Sequence, residues 1–528
     1  MSASPIAIVS PATGRLLREV PDEGEAGIAS AVSASRAAGV AWAALSLNDR
    51  ADALRRWRDA VLDEPLVLET LVAESGKPRQ EAEGIELLYF CELIRFTLKS
   101  ARKALRDESR SPFLFMTKST RLVRHPWGVV GVIGPWNFPI LNNAADAVAP
   151  LISGNTVVLK PSEITPLTSL LMAELWRRAG NPPDVFRVVT GRGDAGKALV
   201  DHADAIMFTG SVATGRRVAA RAGERLIPCV TELGGKSPFI VLAGASLERA
   251  AQAATFSSFV HSGQACIRTE RIYVEESVAD RFEALFAERI RALRQSAPGM
   301  TDAHDLGAVT FPRQLEVLER QLKDAEGKGA RVVTGGKRRA DLAAGNFFEP
   351  TLLAGATHEM EVMTEETFGP LVPIMRVKDG EEALRLANSS HLGLNASVFG
   401  PEAAARALAR RLLSGMVIVN DVLVNYLIVE APLGGWKASG LGVRHGIEGI
   451  RQWTRVSAIS TSRALLSPVE RFIAARLAFP YDPRVLAVLR RATRILYGTG
   501  WGRKFGPISP ASGTAVVGEP VPYNAPDE

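Results

Sequence analysis

Gly128-Val129-Val130-Gly131-Val132-Ile133-Gly134-Pro135-Trp136-Asn137-Phe138-Pro139 sets the architecture of this 528-residue chain. Its first half is a short β-branched run that stops at Gly134-Pro135. The pattern returns downstream. Thr156-Val157-Val158-Leu159 runs into Lys160-Pro161, Ala205-Ile206-Met207-Phe208 into Thr209-Gly210-Ser211, and Pro238-Phe239-Ile240-Val241-Leu242 follows. Short apolar runs alternating with helical stretches predict buried parallel strands in a doubly wound α/β sheet. Upstream, residues 25–110 read as helices, with Ala26–Ala44 and Asp49–Leu62 carrying apolar residues at helical spacing. A second α/β block is expected from about 235 to 430, with strands near Arg271–Val274, Arg331–Thr334 and Met416–Asn420.

The chain is too long for one core, so two or three domains are expected. Hydrophobic residues at 46% and charged residues at 23% suit a globular enzyme. Three cysteines, Cys91, Cys229 and Cys266, are too few for a disulfide framework and point to a reducing, cytoplasmic compartment. The N-terminus shows no charged region followed by an apolar stretch, so no signal peptide is expected. No apolar run reaches the ~18 residues of a membrane span. The net charge of +6 is concentrated. Between Arg463 and Lys504, nine Lys or Arg stand against Glu470 and Asp482, a local +7. The remainder is near neutral, so no nucleic-acid partner is expected. After Pro507 the composition turns to Gly, Pro, Ala and Ser and reads as an unstructured tail.

Chemistry concentrates in two strings. Cys266 closes Phe259-Val260-His261-Ser262-Gly263-Gln264-Ala265-Cys266, and Glu232 opens Glu232-Leu233-Gly234-Gly235-Lys236. A thiol can attack a carbonyl carbon, and a carboxylate can activate the water that clears the thioester. The plainer reading of Cys266 is a small buried hydrophobe. Gly263-Gln264 instead permits a tight turn that exposes the thiol. Cys91 and Cys229 read as structural. Glu232 could be a solvated carboxylate at a strand end, but Gly234 and Gly235 let a ligand lie against the backbone. Asn137 can donate to a developing oxyanion without titrating, or it can form an Asx turn before a helix.

Together these strings resemble the aldehyde dehydrogenase superfamily, from about residue 8 to about residue 461. The resemblance implies a non-acylating enzyme with a Rossmann-like cofactor domain, an α/β catalytic domain and an oligomerisation hairpin. The implied division is 1–107 and 127–234 for NAD binding, 235–451 for catalysis, 108–126 and 452–461 for oligomerisation, and 462–528 as a basic tail. Cys266 would be the nucleophile, Glu232 the base for deacylation, and Asn137 with the Cys266 N–H the oxyanion donors. Trp136, Lys160, Glu163, Gly210, Ser211, Gly234, Glu366 and Phe368 would hold the cofactor, and no metal is implied. Lys160 and Glu163 could clasp a ribose or form a surface ion pair. Glu163 would repel a 2′-phosphate, which favours NAD, with NADP possible. Gly210-Ser211-Val212-Ala213-Thr214-Gly215 matches the family's phosphate turn, and Glu365-Glu366-Thr367-Phe368-Gly369-Pro370 its nicotinamide-ribose string. Ala431–Gly440 resembles the loop that closes the substrate tunnel. A homodimer or homotetramer is implied.

Two departures stand out: His261 replaces an asparagine many members carry, and Ala245-Ser246-Leu247 lacks the usual aspartates. Gly393–Val398 and Gly440–Gly446 look like a bacterial branch labelled succinic semialdehyde dehydrogenase. Succinic semialdehyde is therefore the leading expected substrate, with medium- or long-chain or aromatic aldehydes as the alternative. Arg268 could meet an anionic substrate or be an ordinary exposed arginine. Two rival readings are a catalytically silent binding protein and a membrane-recruited protein. The latter draws on the tail, where Pro468 and Pro483 each precede a segment suited to a helix. In Arg484–Tyr497 apolar residues recur at helical spacing opposite Arg484, Arg490, Arg491 and Arg494. That stripe could pack on protein or lie on a bilayer.

Overall fold

The computed structural model describes residues 4–112, 118–297, 304–342, 344–462, 479 and 483–507. Pro468 and everything beyond 507 lie outside the described residues. Two units emerge: residues 1–107 with 123–457, and residues 108–122 with 458–528.

The first unit holds both main sheets. The first sheet takes β1 (Val129–Ile133), β2 (Thr156–Lys160), β3 (Phe186–Val188), β4 (Ala205–Thr209) and β5 (Cys229–Glu232). Its second takes β6 (Pro238–Val241), β7 (Arg271–Glu275), β8 (Arg331–Thr334), β9 (Thr351–Ala354), β10 (Leu371–Val377), β11 (Asn395–Phe399) and β12 (Met416–Val419). A short late strand, β13 (Gly440–Leu441), returns to the first sheet and pairs antiparallel with β5, Gly440 opposite Glu232. The orders are β13-β5-β4-β1-β2-β3 and β8-β9-β10-β7-β6-β11-β12. The return of β13 means the stretch to 451 does not belong wholly to the second block. Val429, Leu433, Ile450 and Trp453 join the core under the first sheet. Two residues of strand carry no readable period, so this crossing leaves no local pattern in the chain.

β1, β2 and β4 of the first sheet are buried along their length, as the continuous apolar runs require. Their side chains still alternate. Val130, Val132, Val157 and Leu159 face a core built with Trp57, Phe90 and Trp176 from the helical region. Val129, Ile133, Val158 and Ile206 face the opposite core with Ile28, Val32 and Leu199. Trp57 meets Trp176 edge to face at 5.4 Å and donates its indole N–H to the Met172 carbonyl at 2.9 Å. The second sheet is covered on both faces in the same way.

Strand order in the first sheet reverses between β1 and β4, which opens a crevice at their carboxyl ends. Gly134-Pro135 follows β1 and Gly210-Ser211 follows β4, so both loops border that crevice. β5 ends at Glu232, and the chain passes through Gly234-Gly235 straight into β6 of the other sheet. The junction therefore carries the candidate base.

Glu108–Arg110 pairs antiparallel with Lys118–Pro126, and a three-stranded sheet is completed by Thr454–Ser462. Thr120 and Ser460 hydroxyls meet at 2.9 Å. A helix spans Pro483–Tyr497 and a second Trp501–Phe505.

Candidate active site

Cys266 sits in the loop between the helix Leu247–Phe259 and β7, after a turn that only an unusual backbone can make. His261, Ser262 and Gly263 all have positive φ, at 51°, 52° and 74°. Two of the three are not glycine, so strain is stored just before the nucleophile. Surrounding contacts hold it. The His261 N–H donates to both Glu81 carboxylate oxygens at 3.0 Å, and the imidazole packs against Phe138 at 5.3 Å between rings. Burial pushes the His261 pKa well down, so the ring is neutral. This departure from the family pattern thus braces the nucleophile loop by packing.

Glu232 is 5% exposed, and its Oε1 makes no hydrogen bond among the described residues. Burial raises its pKa from 4.5 to about 7, against the pull of the Arg444 cation. An unpartnered carboxylate oxygen that titrates near neutrality is suited to take a proton from water. Burial and the Glu232 charge push the Cys266 thiol up to about 12, opposed by Arg444. The half-buried cysteine and the buried carboxylate therefore feel one another. Gly235 is required between them: a Cβ there would stand 2.3 Å from the Cys266 carbonyl oxygen.

Asn137 is buried, and its Nδ2 donates to the Gln264 carbonyl at 2.8 Å, two residues before the thiol. That bond uses one amide hydrogen and leaves the second for an oxyanion. The turn carrying Asn137 is pinned from below. Lys77 Nζ donates to the Asn137 carbonyl at 2.9 Å and pairs with Glu86, whose carboxylate accepts from the Ile140 and Leu141 N–H groups at 2.8 and 3.2 Å.

Trp136, Lys160, Glu163, Gly210 and Ser211 all line one groove of about 700 Å³ at the crevice between β1 and β4. Lys160 Nζ donates to the Pro161 carbonyl at 2.9 Å and lies 3.6 Å from Glu163, which is 41% exposed at the rim. Ser211 caps the helix Val212–Glu224, accepting from the Thr214 N–H at 3.3 Å, so the N–H groups of that first turn face the groove. Glu366 accepts from the Gly235 N–H at 2.9 Å, and a Cβ on Gly234 would stand 2.7 Å from its carboxylate. Phe368 stands edge to face with Trp136 at 5.4 Å. A dinucleotide fits this donor set: helix-end N–H groups for its phosphates, a cation and carboxylates for its riboses, and two aromatic rings beside the thiol loop.

Arg268 does not reach a substrate. It is fully buried and donates to the Gly263, Thr269, Gly369 and Leu371 carbonyls, with Glu270 at 3.3 Å. It clamps the nucleophile loop to the Glu366 loop. Proximity in sequence to the thiol suggested contact; the backbone turn after Cys266 points the guanidinium inward instead.

A second cavity, of about 380 Å³, opens on the sulfur. Phe138, Leu141, Phe256, Val260, Ile267 and the segment Asp421–Leu427 wall it. Among the described residues no Lys, Arg or His lines it, and its one ionisable side chain apart from Cys266 and Tyr426 is Asp421. The loop Ala431–Gly440 is absent from that wall. It braces the base instead: Ser439 donates its hydroxyl to the Gly234 carbonyl at 2.8 Å, and its own carbonyl accepts from the Leu233 N–H at 2.8 Å.

The description "Aldehyde dehydrogenase family" matches residues 1–459. The chain belongs to that family. A "Putative succinate-semialdehyde dehydrogenase" naming NADP(+), from Mycolicibacterium smegmatis, is 41% identical over 457 residues, 86% of this chain and 88% of the relative. A 4,4'-diapolycopene aldehyde oxidase from Methylomonas sp is 37% identical over 466 residues, 87% of this chain and 86% of the relative. Betaine aldehyde dehydrogenase from Staphylococcus aureus, solved with NAD+, superposes with a TM-score of 0.83 at 29% identity, covering 88% of this chain and 93% of that one. The enzyme is thus an NAD(P)-dependent aldehyde oxidoreductase.

Arg444 and Asp146 escaped the sequence reading. They form a buried ion pair at 2.7 Å, with Arg444 also donating to Asn142 at 2.9 Å and to the Tyr426 hydroxyl at 3.0 Å. Nothing in the local string marks either as buried; the signal lies only in their three-dimensional pairing.

Proposed function

We propose that the enzyme oxidises apolar-chain aldehydes to carboxylic acids through a thioester on Cys266. The observation that carries the substrate's chemistry is the cavity at the thiol, which is walled mostly by aliphatic and aromatic side chains, with Asn142 and Asp421 its polar members, and offers no cation among the described residues. Each methylene buried there is worth about 0.8 kcal/mol. A second carboxylate on the substrate would lose several kcal/mol of hydration without a partner, beside Asp421 at the wall. Succinic semialdehyde is the second reading, favoured by the name of the Mycolicibacterium relative. Specificity constants decide between them. Octanal or decanal should exceed succinic semialdehyde by more than about tenfold, and the reverse order would overturn the apolar reading.

In the mechanism we infer, Cys266 Sγ bonds to the aldehyde carbon and its proton passes to solvent water. The free Asn137 amide hydrogen and the Cys266 N–H hold the oxyanion. The chemistry that bound NAD(P) would supply is a hydride acceptor. Trp136, Lys160, Glu163, Gly210, Ser211, Gly234, Glu366 and Phe368 would orient it. Glu232 then takes a proton from water, whose oxygen attacks the thioester carbonyl; the acid leaves and the thiol is restored. Glu163 at the groove rim supports NAD as the preferred form.

The domain roles we infer are cofactor binding by the first sheet and catalysis by the second. The exposed strand Thr454–Ser462, with Val456 and Ile459 facing solvent, suits pairing in a homodimer or homotetramer. Cys91, Cys229 and Cys266 are all free, which supports a cytoplasmic setting.

A further inference from the structure

Residues 483–507 contain no Asp or Glu but carry Arg484, Arg490, Arg491, Arg494, Arg503 and Lys504. The helix Pro483–Tyr497 sets Arg490, Arg491 and Arg494 apart from its apolar residues. At 100° per residue, Val485, Leu486, Val488, Leu489, Ile495 and Leu496 occupy about half the circumference, and Arg490, Arg491 and Arg494 the other. Among the described residues nothing covers most of the apolar half. Val488 is 66% exposed, Leu486 55% and Leu496 46%. Beyond the helix the chain doubles back: Arg494 donates to the Arg503 and Pro507 carbonyls at 2.8 and 3.0 Å. Trp501 packs on Phe505 at 4.6 Å between rings, yet is itself 80% exposed.

We propose that residues 483–507 dock in the plane of an anionic lipid bilayer. Charge complementarity selects this occupant. A second copy of the same helix could cover the leucines but would bring no carboxylate to the arginines on the opposite half, since residues 483–507 hold none. An anionic bilayer offers both things the helix lacks, a hydrocarbon layer for the leucines and negative headgroups for the arginines. Trp501 and Tyr497 are amphipathic rings of the kind that settle at the headgroup level. Fifteen residues of helix are too short to cross a hydrocarbon core that needs about 20. Among the described residues no single helix is long and apolar enough to span. The helix therefore lies on the surface. Docking deepens the apolar-aldehyde reading, since such substrates partition into lipid, but the two are tested separately because vesicle binding is read without aldehyde.

The test is flotation of the full-length enzyme with phosphatidylcholine vesicles with and without phosphatidylglycerol, across a salt series. The wild type should float with the anionic vesicles, not with the neutral ones, and release as salt rises. Leu489→Asp/Leu496→Asp and Arg490→Gln/Arg491→Gln should each weaken binding by at least about tenfold. Both variants should keep the wild-type oligomer mass, melting temperature and turnover of a water-soluble aldehyde. Failure of the wild type to bind anionic vesicles overturns the proposal, as does undiminished binding by both variants. A changed oligomer mass or a lowered melting temperature in the Asp variant also overturns it, since the face would then be a protein contact.

Discussion

Glu232→Gln should stabilise the protein, by an amount that grows as pH rises from about 4.5 to about 7 and is full above that. The wild-type carboxyl has a folded pKa of about 7 against 4.5 for the free side chain, because burial penalises the charged form. Between those values the native state binds a proton that the unfolded chain has released. Stability contributed by this group therefore falls as pH rises through 4.5 to about 7, and the full cost remains above that. At 1.36 kcal/mol per factor of ten, the cost is about 3 kcal/mol. Glutamine is nearly isosteric and never ionises, so it escapes the cost. Near pH 4.5 the wild-type carboxyl is itself neutral in the native state, and the two proteins should match. Glu74, Glu81 and Glu366 are also raised to about 7, so the wild-type curve alone is composite. The difference between variant and wild type isolates Glu232. Thermal scans at pH 5 and pH 8.5 should show the variant melting a few degrees higher at the alkaline pH and level with wild type at the acid one. An equal gap at both pH values would refute the claim that the base is held at a desolvation cost.

Arg444→Met should move the pH profile of deacylation upward and Asp146→Asn should move it downward, because the cation lowers and the anion raises the Glu232 pKa; shifts of the same sign would mean the pair is only structural. Arg268→Met should cost about 1–3 kcal/mol of stability by removing donors from buried carbonyls while Glu270 keeps Lys236 at 2.6 Å, and should alter KM for anionic and neutral aldehydes alike; a loss confined to anionic aldehydes would restore it to the substrate site. NAD should beat NADP in kcat/KM, and Glu163→Gln should narrow the gap by about fivefold, the effect of about 1 kcal/mol of charge repulsion near a surface; a wild-type preference for NADP would contradict this.

The α/β class was legible because buried parallel strands leave continuous apolar runs, and Val129–Ile133 and Thr156–Lys160 lie within a residue of their expected bounds. Cys266, Glu232 and Asn137 were legible because chemistry had fixed short strings around them. What stayed hidden was long-range. Lys77 with Glu86, Lys236 with Glu270 at 2.6 Å, and Arg444 with Asp146 are buried pairs that hold the loops of the site. In a sequence such residues look like ordinary surface charges, since burial is set by partners far along the chain. Arg268 misled for the same reason: two residues from the thiol in sequence, it is turned away by the tight turn in which its N–H donates to the Ala265 carbonyl at 3.1 Å.

The central claim is a thioester on Cys266 that Glu232 clears. Glu232→Gln incubated with NAD and octanal, quenched and mapped by peptide mass, should release NADH equal to the enzyme sites and then stall, with the octanoyl group on the Cys266 peptide. Cys266→Ala should give neither NADH nor adduct while still binding NAD. Steady turnover in Glu232→Gln, an adduct on Cys91 or Cys229, or NADH formation by Cys266→Ala within about tenfold of wild type would contradict the account.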